Sequence, residues 1–297
     1  MNFKEITMPR RMRSVTVCLF HLSLALAGLP AAQADGRLLA TGGATQIEGA
    51  AGGGLVPWAV LAGYGTRDEY SGTFAISRVD TGDYTLDVLS GAFTLFNRVE
   101  LSFARQEFDL GTLGIMLQQP DAVLRQNVFG AKARLLGDLI YTPWPQVSAG
   151  VQYKQNVDFD IPRLVGAQDD SSVDVYLAAS KLFLGGLAGR NLLLNTTVRS
   201  TEANQIGLLG FGGDQGGREL VFEGSVAVLL NRFTAVGVEY RQKPDNLAYA
   251  REEDWWDAFI GYFPNKHISF VAAYADLGSI AGLDRQTGFY LSAQASY

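Results

Sequence analysis

Segments of about ten residues in which apolar and polar side chains alternate recur along most of this chain, separated by turns. A period of two puts successive side chains on opposite faces, so each segment reads as a strand with one apolar face. Val147, Ala149, Val151 and Tyr153 alternate with Ser148, Gly150, Gln152 and Lys154. The same rule sets Phe129, Ala131, Ala133 and Leu135 against Gly130, Lys132 and Arg134. It also sets Leu192, Leu194, Thr196 and Val198 against Asn195, Thr197 and Arg199, and Trp256, Ala258, Ile260 and Tyr262 against Trp255, Asp257, Phe259 and Gly261. Ile268, Phe270, Ala272 and Tyr274 form a fifth apolar row, and Phe289, Leu291, Ala293, Ala295 and Tyr297 a sixth.

A β-sandwich also alternates, but it has no reason to sort its connections. Here short turns (around 96–98, 141–146, 184–190, 231–232 and 264–266) take turns with longer loops (110–124, 157–171, 201–217, 244–252 and 277–285). That sorting belongs to an all-β transmembrane antiparallel β-barrel, with short periplasmic turns and longer extracellular loops. Aromatic residues near the segment ends (Phe96, Tyr141, Trp144, Phe233, Trp255, Phe263, Tyr297) suit interfacial girdles. Tyr297 is the expected contact for the barrel-insertion machinery of the outer membrane.

Residues 1–34 read as a secretory signal: Lys4, Arg10, Arg11 and Arg13, an apolar stretch from Val15, then Ala32-Gln33-Ala34 as the cleavage site. The expected organisation is this signal followed by one barrel domain, residues 35–297, in the outer membrane of a Gram-negative bacterium. Removing residues 1–34 takes four of the 24 basic side chains and one of the 30 acidic ones, leaving 20 against 29 and a formal charge of −9. An acidic chain argues against nucleic acid as a partner. The single cysteine, Cys18, leaves with the signal, and with it any disulfide or thiolate metal site. No apolar run in the remainder reaches the roughly 18 residues of a membrane helix.

The strand count depends on the first segments. Eleven strands run back from Tyr297 to about Asp83, and Ser71 to Val79 makes twelve. Leu38 to Ile47 and Trp58 to Tyr64 are two further candidates, joined by the Gly-rich stretch 49–54. The count is 12 or 14, and the spacing leans to 14.

One histidine, His267, remains after the signal, beside the turn at 264–266. A Ser-His-Asp triad at the outer mouth and a multi-histidine metal site are both excluded on that ground, so no enzyme, cofactor or metal is expected. Asp158, Asp160, Asp169 and Asp170 are too irregularly spaced for a Ca²⁺ loop.

The chemistry therefore rests on the lumen. The alternation points Lys132, Arg134, Lys154 and Arg199 inward on one side, and Glu223, Glu239 and Asp257, with Arg241 among them, on another. Such walls either line a water-filled pore with a transverse field or pair with each other in a narrow, plugged barrel. Two loops are unusually apolar. Leu113, Ile115, Met116 and Leu117 would narrow the pore, lie over its mouth or meet another subunit, and Leu208, Leu209 and Phe211 would form a lid or entry patch.

Arg37 to Thr66, RLLATGGATQIEGAAGGGLVPWAVLAGYGT, resembles the N-terminal signature of an uncharacterised proteobacterial family of outer-membrane, porin-like proteins, and LFNRVELS at Leu95 to Ser102 is a second match. The resemblance runs through to the C-terminus. It implies a barrel and brings no activity or site residue; the Gly-rich part marks either close strand packing or an inserted plug. The expectation is an outer-membrane channel for passive diffusion of small solutes, with membrane lipid as partner and room for a homo-oligomer. The alternatives are a transporter of hydrophobic molecules and a non-conducting barrel that holds a partner protein.

Overall fold

The computed structural model describes residues 36–249 and 251–297, so the signal and its cleavage site lie outside the described residues. Two short strands come first, β1 (Ala44–Thr45) and β2 (Ala51–Gly52), paired only with each other. Then follow β3 (Tyr70–Asp80), β4 (Thr85–Leu95) and β5 (Val99–Asp109), helix α1 (Gly111–Met116), β6 (Val123–Leu136) and β7 (Gln146–Asn156). Helix α2 (Asp160–Leu164) leads to β8 (Ser171–Leu187) and β9 (Arg190–Thr201), and a 3₁₀ turn (Asn204–Gly207) to β10 (Glu219–Leu229). The chain ends in β11 (Thr234–Arg241), β12 (Trp255–Tyr262), β13 (Ile268–Asp276) and β14 (Thr287–Ser296).

From β3 onward each strand pairs antiparallel with the next, and β14 returns to β3, closing a barrel of twelve strands. Closure removes both sheet edges. The seam reaches Tyr297, where Gly72 and Tyr297 exchange reciprocal backbone hydrogen bonds of 2.9 Å. Burial alternates along most of each strand: in β8, Val173, Val175 and Leu177 face out, while Asp174, Tyr176 and Ala178 are buried within. An apolar outer face on every strand is what lipid contact requires. Among the described residues no helix is long and apolar enough to cross a membrane.

Short turns gather at one end. Phe96 and Asn97, both at positive φ, turn the chain in the three-residue β4–β5 connection, and Ala188-Gly189 forms a two-residue hairpin loop between β8 and β9. The longer loops, 110–122, 157–170, 202–218, 242–254 and 277–286, gather at the other end. Fourteen barrel strands are not formed. Leu38 to Ile47 and Trp58 to Tyr64 add nothing to the wall; Leu38 is exposed at the mouth, and residues 42–64 lie inside the wall, buried throughout. Their apolar and small residues suit burial on every side as well as they suit a strand.

Candidate functional site: a lumen closed by the N-terminal segment

The N-terminal segment enters at the short-turn end, doubles back through the two-residue β1–β2 ladder, and leaves at the same end into β3. Almost none of its backbone is in regular structure, so its buried amides and carbonyls need partners from the wall. The inward side chains supply them. Glu239 on β11 accepts hydrogen bonds from the amides of Gly54 and Leu55, each 2.7 Å, and from Trp58 Nε1 and Ser225 Oγ. Glu100 on β5 accepts from Ala51 N and Ala62 N, at 3.1 and 2.8 Å. Lys132 on β6 pairs with Glu100 at 3.2 Å and donates to the carbonyls of Ala51 and Trp58. Thr197 donates to Pro57 O, and Gln146 and Ser148 to Ala59 O. Gly53 fits because it has no side chain: a Cβ there would sit 2.0 Å from Glu239 Oε1.

Glu48 carries the segment's own charge into the centre. It meets Lys154 of β7, Arg199 of β9 at 3.3 Å and Arg241 of β11 at 3.0 Å. Lys154 also pairs with Asp174 of β8 at 2.7 Å, and Arg199 with Glu223 of β10 at 2.5 Å. Three carboxylates and three cations thus form one neutral cluster from five strands and the plug, with no side chain more than 4% exposed. Gln152 Oε1 accepts from Arg199 at 2.6 Å, and the Arg199 guanidinium lies over the Tyr176 ring. A buried charge without this compensation would cost several kcal/mol, on the order of 3–5 for each partner removed.

Seven of the eight proposed lumen charges, all but Arg134, are buried inside the barrel. They do not stand as opposed basic and acidic walls. Lys154, Arg199, Glu223 and Arg241 converge through Glu48, Lys132 and Glu239 hold plug backbone, and Asp257 lies beside Glu239 with neither oxygen hydrogen-bonded. Arg134 stands apart at the short-turn mouth, bound to Asp138 at 2.8 Å. Glu48, Glu100 and Asp174 were not singled out from the sequence. The alternation would have found two of them, because Glu100 precedes outward Leu101 and Asp174 lies between outward Val173 and Val175.

The loop end is closed too. Leu208, Leu209 and Phe211 are buried, with Ile206, in the 202–218 loop, which folds over the lumen rather than standing free. Its carbonyls accept from the wall: Lys154 and Gln126 to Ile206 O, Asn156 to Leu208 O. Below it, Ile47 and Leu55 of the plug share a small apolar cavity of about 30 Å³ with Leu86, Phe108, Trp255 and Leu277. In α1 only Leu113 turns into this core. Ile115, Met116 and Leu117 are 68%, 66% and 42% exposed, so they cap the mouth from outside and do not narrow the lumen; α1 is too short to bury both its faces. His267 sits at the short-turn rim, its carbonyl bound by Ser296 N. Asp158 is taken by Arg125 and Asp160 by Arg163, and among the described residues no group of ligands is arranged for a metal.

No curated protein matches the chain. Solved barrels similar to it include the outer membrane protein Omp33 of Acinetobacter baumannii, 11% identical with a TM-score of 0.44, covering 77% of this chain and 98% of that one. The NanC porin is 12% identical with a TM-score of 0.46, covering 76% and 98%. An outer membrane channel from Pseudomonas putida F1 is 11% identical with a TM-score of 0.43, covering 82% and 97%. A family match over residues 41–294 takes in the plug and the wall together, and the chain belongs to that family, described as protein of unknown function (DUF3034).

Proposed function

We propose that this protein is an outer-membrane channel for small polar solutes, held shut by its own N-terminal segment. The observation that carries the reading is the wall behind the plug. It is polar even where the plug makes no hydrogen bond: Ser90, Thr94 and Ser269 face inward with unpartnered hydroxyls. A permanently sealed core gains nothing from such groups, each of which costs about 1–3 kcal/mol when buried unpaired. With the plug displaced they meet water, and so do Thr73, Ser77, Gln152, Asn195, Ser292 and Gln294. A twelve-stranded wall is wider than the eight-stranded kind that side chains alone can fill. Passage is then passive diffusion along a hydrophilic surface, with the charges of the central cluster exposed to the solute.

The test is single-channel conductance of refolded residues 35–297 beside a variant lacking residues 42–64, both checked for heat-modifiable gel mobility. The intact chain should be closed or rarely open and the deletion open. A folded, inserted deletion variant that never conducts would sink the reading.

The apolar layer formed by Ile47, Leu55, Leu208, Trp255, Leu277 and Ile280 supports a second reading, transport of a hydrophobic molecule entering at the loop end. In that case the same deletion would conduct no ions and would speed uptake of an apolar dye.

A further inference from the structure

A pocket of about 240 Å³ opens at the short-turn mouth, where the plug enters and leaves the barrel. It is lined from three directions: by both legs of the plug, by the β4–β5 turn, and by the connection after β6. Four arginines line it, Arg37, Arg67, Arg98 and Arg134, against one carboxylate, Asp138.

That carboxylate is already used. Asp138 pairs with Arg134 at 2.8 Å and accepts the amides of Ile140 and Tyr141. Arg37 is held by carbonyls alone, those of Leu61, Gly63 and Thr41. Among the described residues no carboxylate lies within 4.0 Å of Arg37, Arg67 or Arg98. Burial, with Arg134 adding to it, pushes Arg37 down to about 10. The guanidinium stays charged at neutral pH but is short of compensation. Arg67 and Arg98 are exposed at the rim.

We propose that this pocket binds a phosphate-type oxyanion. Planar guanidinium forks match the tetrahedral oxygens of phosphate with paired, charge-assisted hydrogen bonds, and low-dielectric walls strengthen the attraction. The volume admits a phosphate and a short substituent, not a sugar polymer. Two sources share this chemistry: a free phosphate ester and the headgroup of a membrane phospholipid. The exposed Tyr141 and Trp144 beside the mouth put the pocket at headgroup depth if the barrel sits in a bilayer, so the lipid source rests on the channel reading whereas the anion site does not. Because the pocket touches both plug legs and the wall, a bound anion ties the plug to the barrel.

The test uses the full chain refolded in a non-ionic detergent. Inorganic phosphate is titrated in and followed by phosphorus NMR line broadening, and a short-chain phosphatidylglycerol is titrated by native mass spectrometry. Phosphate should bind the wild type. The double variant Arg67→Ala/Arg98→Ala should bind about tenfold more weakly or less, since it loses charge-assisted hydrogen bonds at exposed positions that the fold does not need. Arg190→Ala/Arg232→Ala, which removes the same charge from the same end outside the pocket, should bind as wild type. Lipid that binds and is displaced by phosphate identifies the headgroup as the source; phosphate binding that lipid does not disturb identifies a free ester. No binding of either probe, or equal weakening in both double variants, would overturn the proposal.

Discussion

Glu239 and Asp257 face each other directly across the β11–β12 ladder, and the plug satisfies only one of them. Glu239 holds two plug amides, the Trp58 indole and Ser225, while both Asp257 oxygens lack a hydrogen bond although the residue is fully buried. Asp257→Asn supplies an amide donor toward Glu239. It should stabilise the folded barrel by about 1–3 kcal/mol, the range for relieving an unsatisfied buried group. Glu239→Gln, which weakens acceptance of the plug amides, should move the other way. The temperature at which the compact gel band is lost measures both.

Glu48 is the plug's only side chain in the central charge cluster, facing Lys154, Arg199 and Arg241. Glu48→Gln leaves three cations with two carboxylates inside the lumen. Breaking a buried pair in this way costs about 3–5 kcal/mol, which falls on the plugged state and not on the wall. The variant should keep its barrel mobility, admit proteases to residues 42–64 from the short-turn side, and open more often in a bilayer. Unchanged protection of that segment would show that the cluster does not hold it.

Glycine positions separate close packing from mere flexibility. A Cβ on Gly53 would strike Glu239 Oε1 at 2.0 Å, and one on Gly52 would strike Val56 O at 2.1 Å, whereas Gly217 has nothing within 4 Å. Gly52→Ala meets backbone and should dislodge the plug. Gly53→Ala meets a side chain that can swing, and should weaken it less. Gly217→Ala should be within about 0.5 kcal/mol of wild type. Protease protection of the plug ranks the three.

Two loops at the same mouth should answer acid differently. Arg125 holds Asp158 below the usual carboxylate range by hydrogen bonding, so its contribution is present above the unfolded pKa and is lost as pH falls through the lower folded value. Glu252 is the reverse. Burial raises it despite Lys243 at 3.3 Å and the Gln205 amide, and Asp245 adds to the rise. Its favourable share is complete below the unfolded pKa and fades as pH rises through the folded one. Burial also lowers Lys243. Between pH 7 and 3, the hydrogen-exchange protection factors, taken against the intrinsic rate at each pH, should fall in 157–170 while that of the Gln205 amide is kept.

The wall was legible because burial on one side leaves a period of two, and because the sorting of short turns from long loops separates a barrel from a sandwich. The same rule gave the inward placement of Lys132, Lys154, Arg199, Glu223, Glu239, Arg241 and Asp257. The plug stood only as one of two readings of the Gly-rich part, because Thr41 to Ile47 and Trp58 to Tyr64 are buried on all sides and their composition carries no direction. The surplus of ionisable groups inside the wall was the clue. So many inward charges require partners, and Glu48, set before the glycines of 49–54, is the one charge of that stretch that can reach them. Both apolar loops stood out in hydrophobicity, but which of them folds inward did not, and the orientation of Leu113 against Ile115, Met116 and Leu117 depends on where a six-residue helix meets the rim.

Arg37 fastens one leg of the plug to the carbonyls of the other, at Leu61 and Gly63, and only Arg67, Asp68 and Glu69 separate Thr66 from the first barrel strand. Three extended residues span roughly 10 Å, so the second leg works as a short leash. A plug that leaves the lumen stays within reach of it at a high effective concentration, and reclosing is an intramolecular step that needs no partner and does not depend on how many copies the membrane holds.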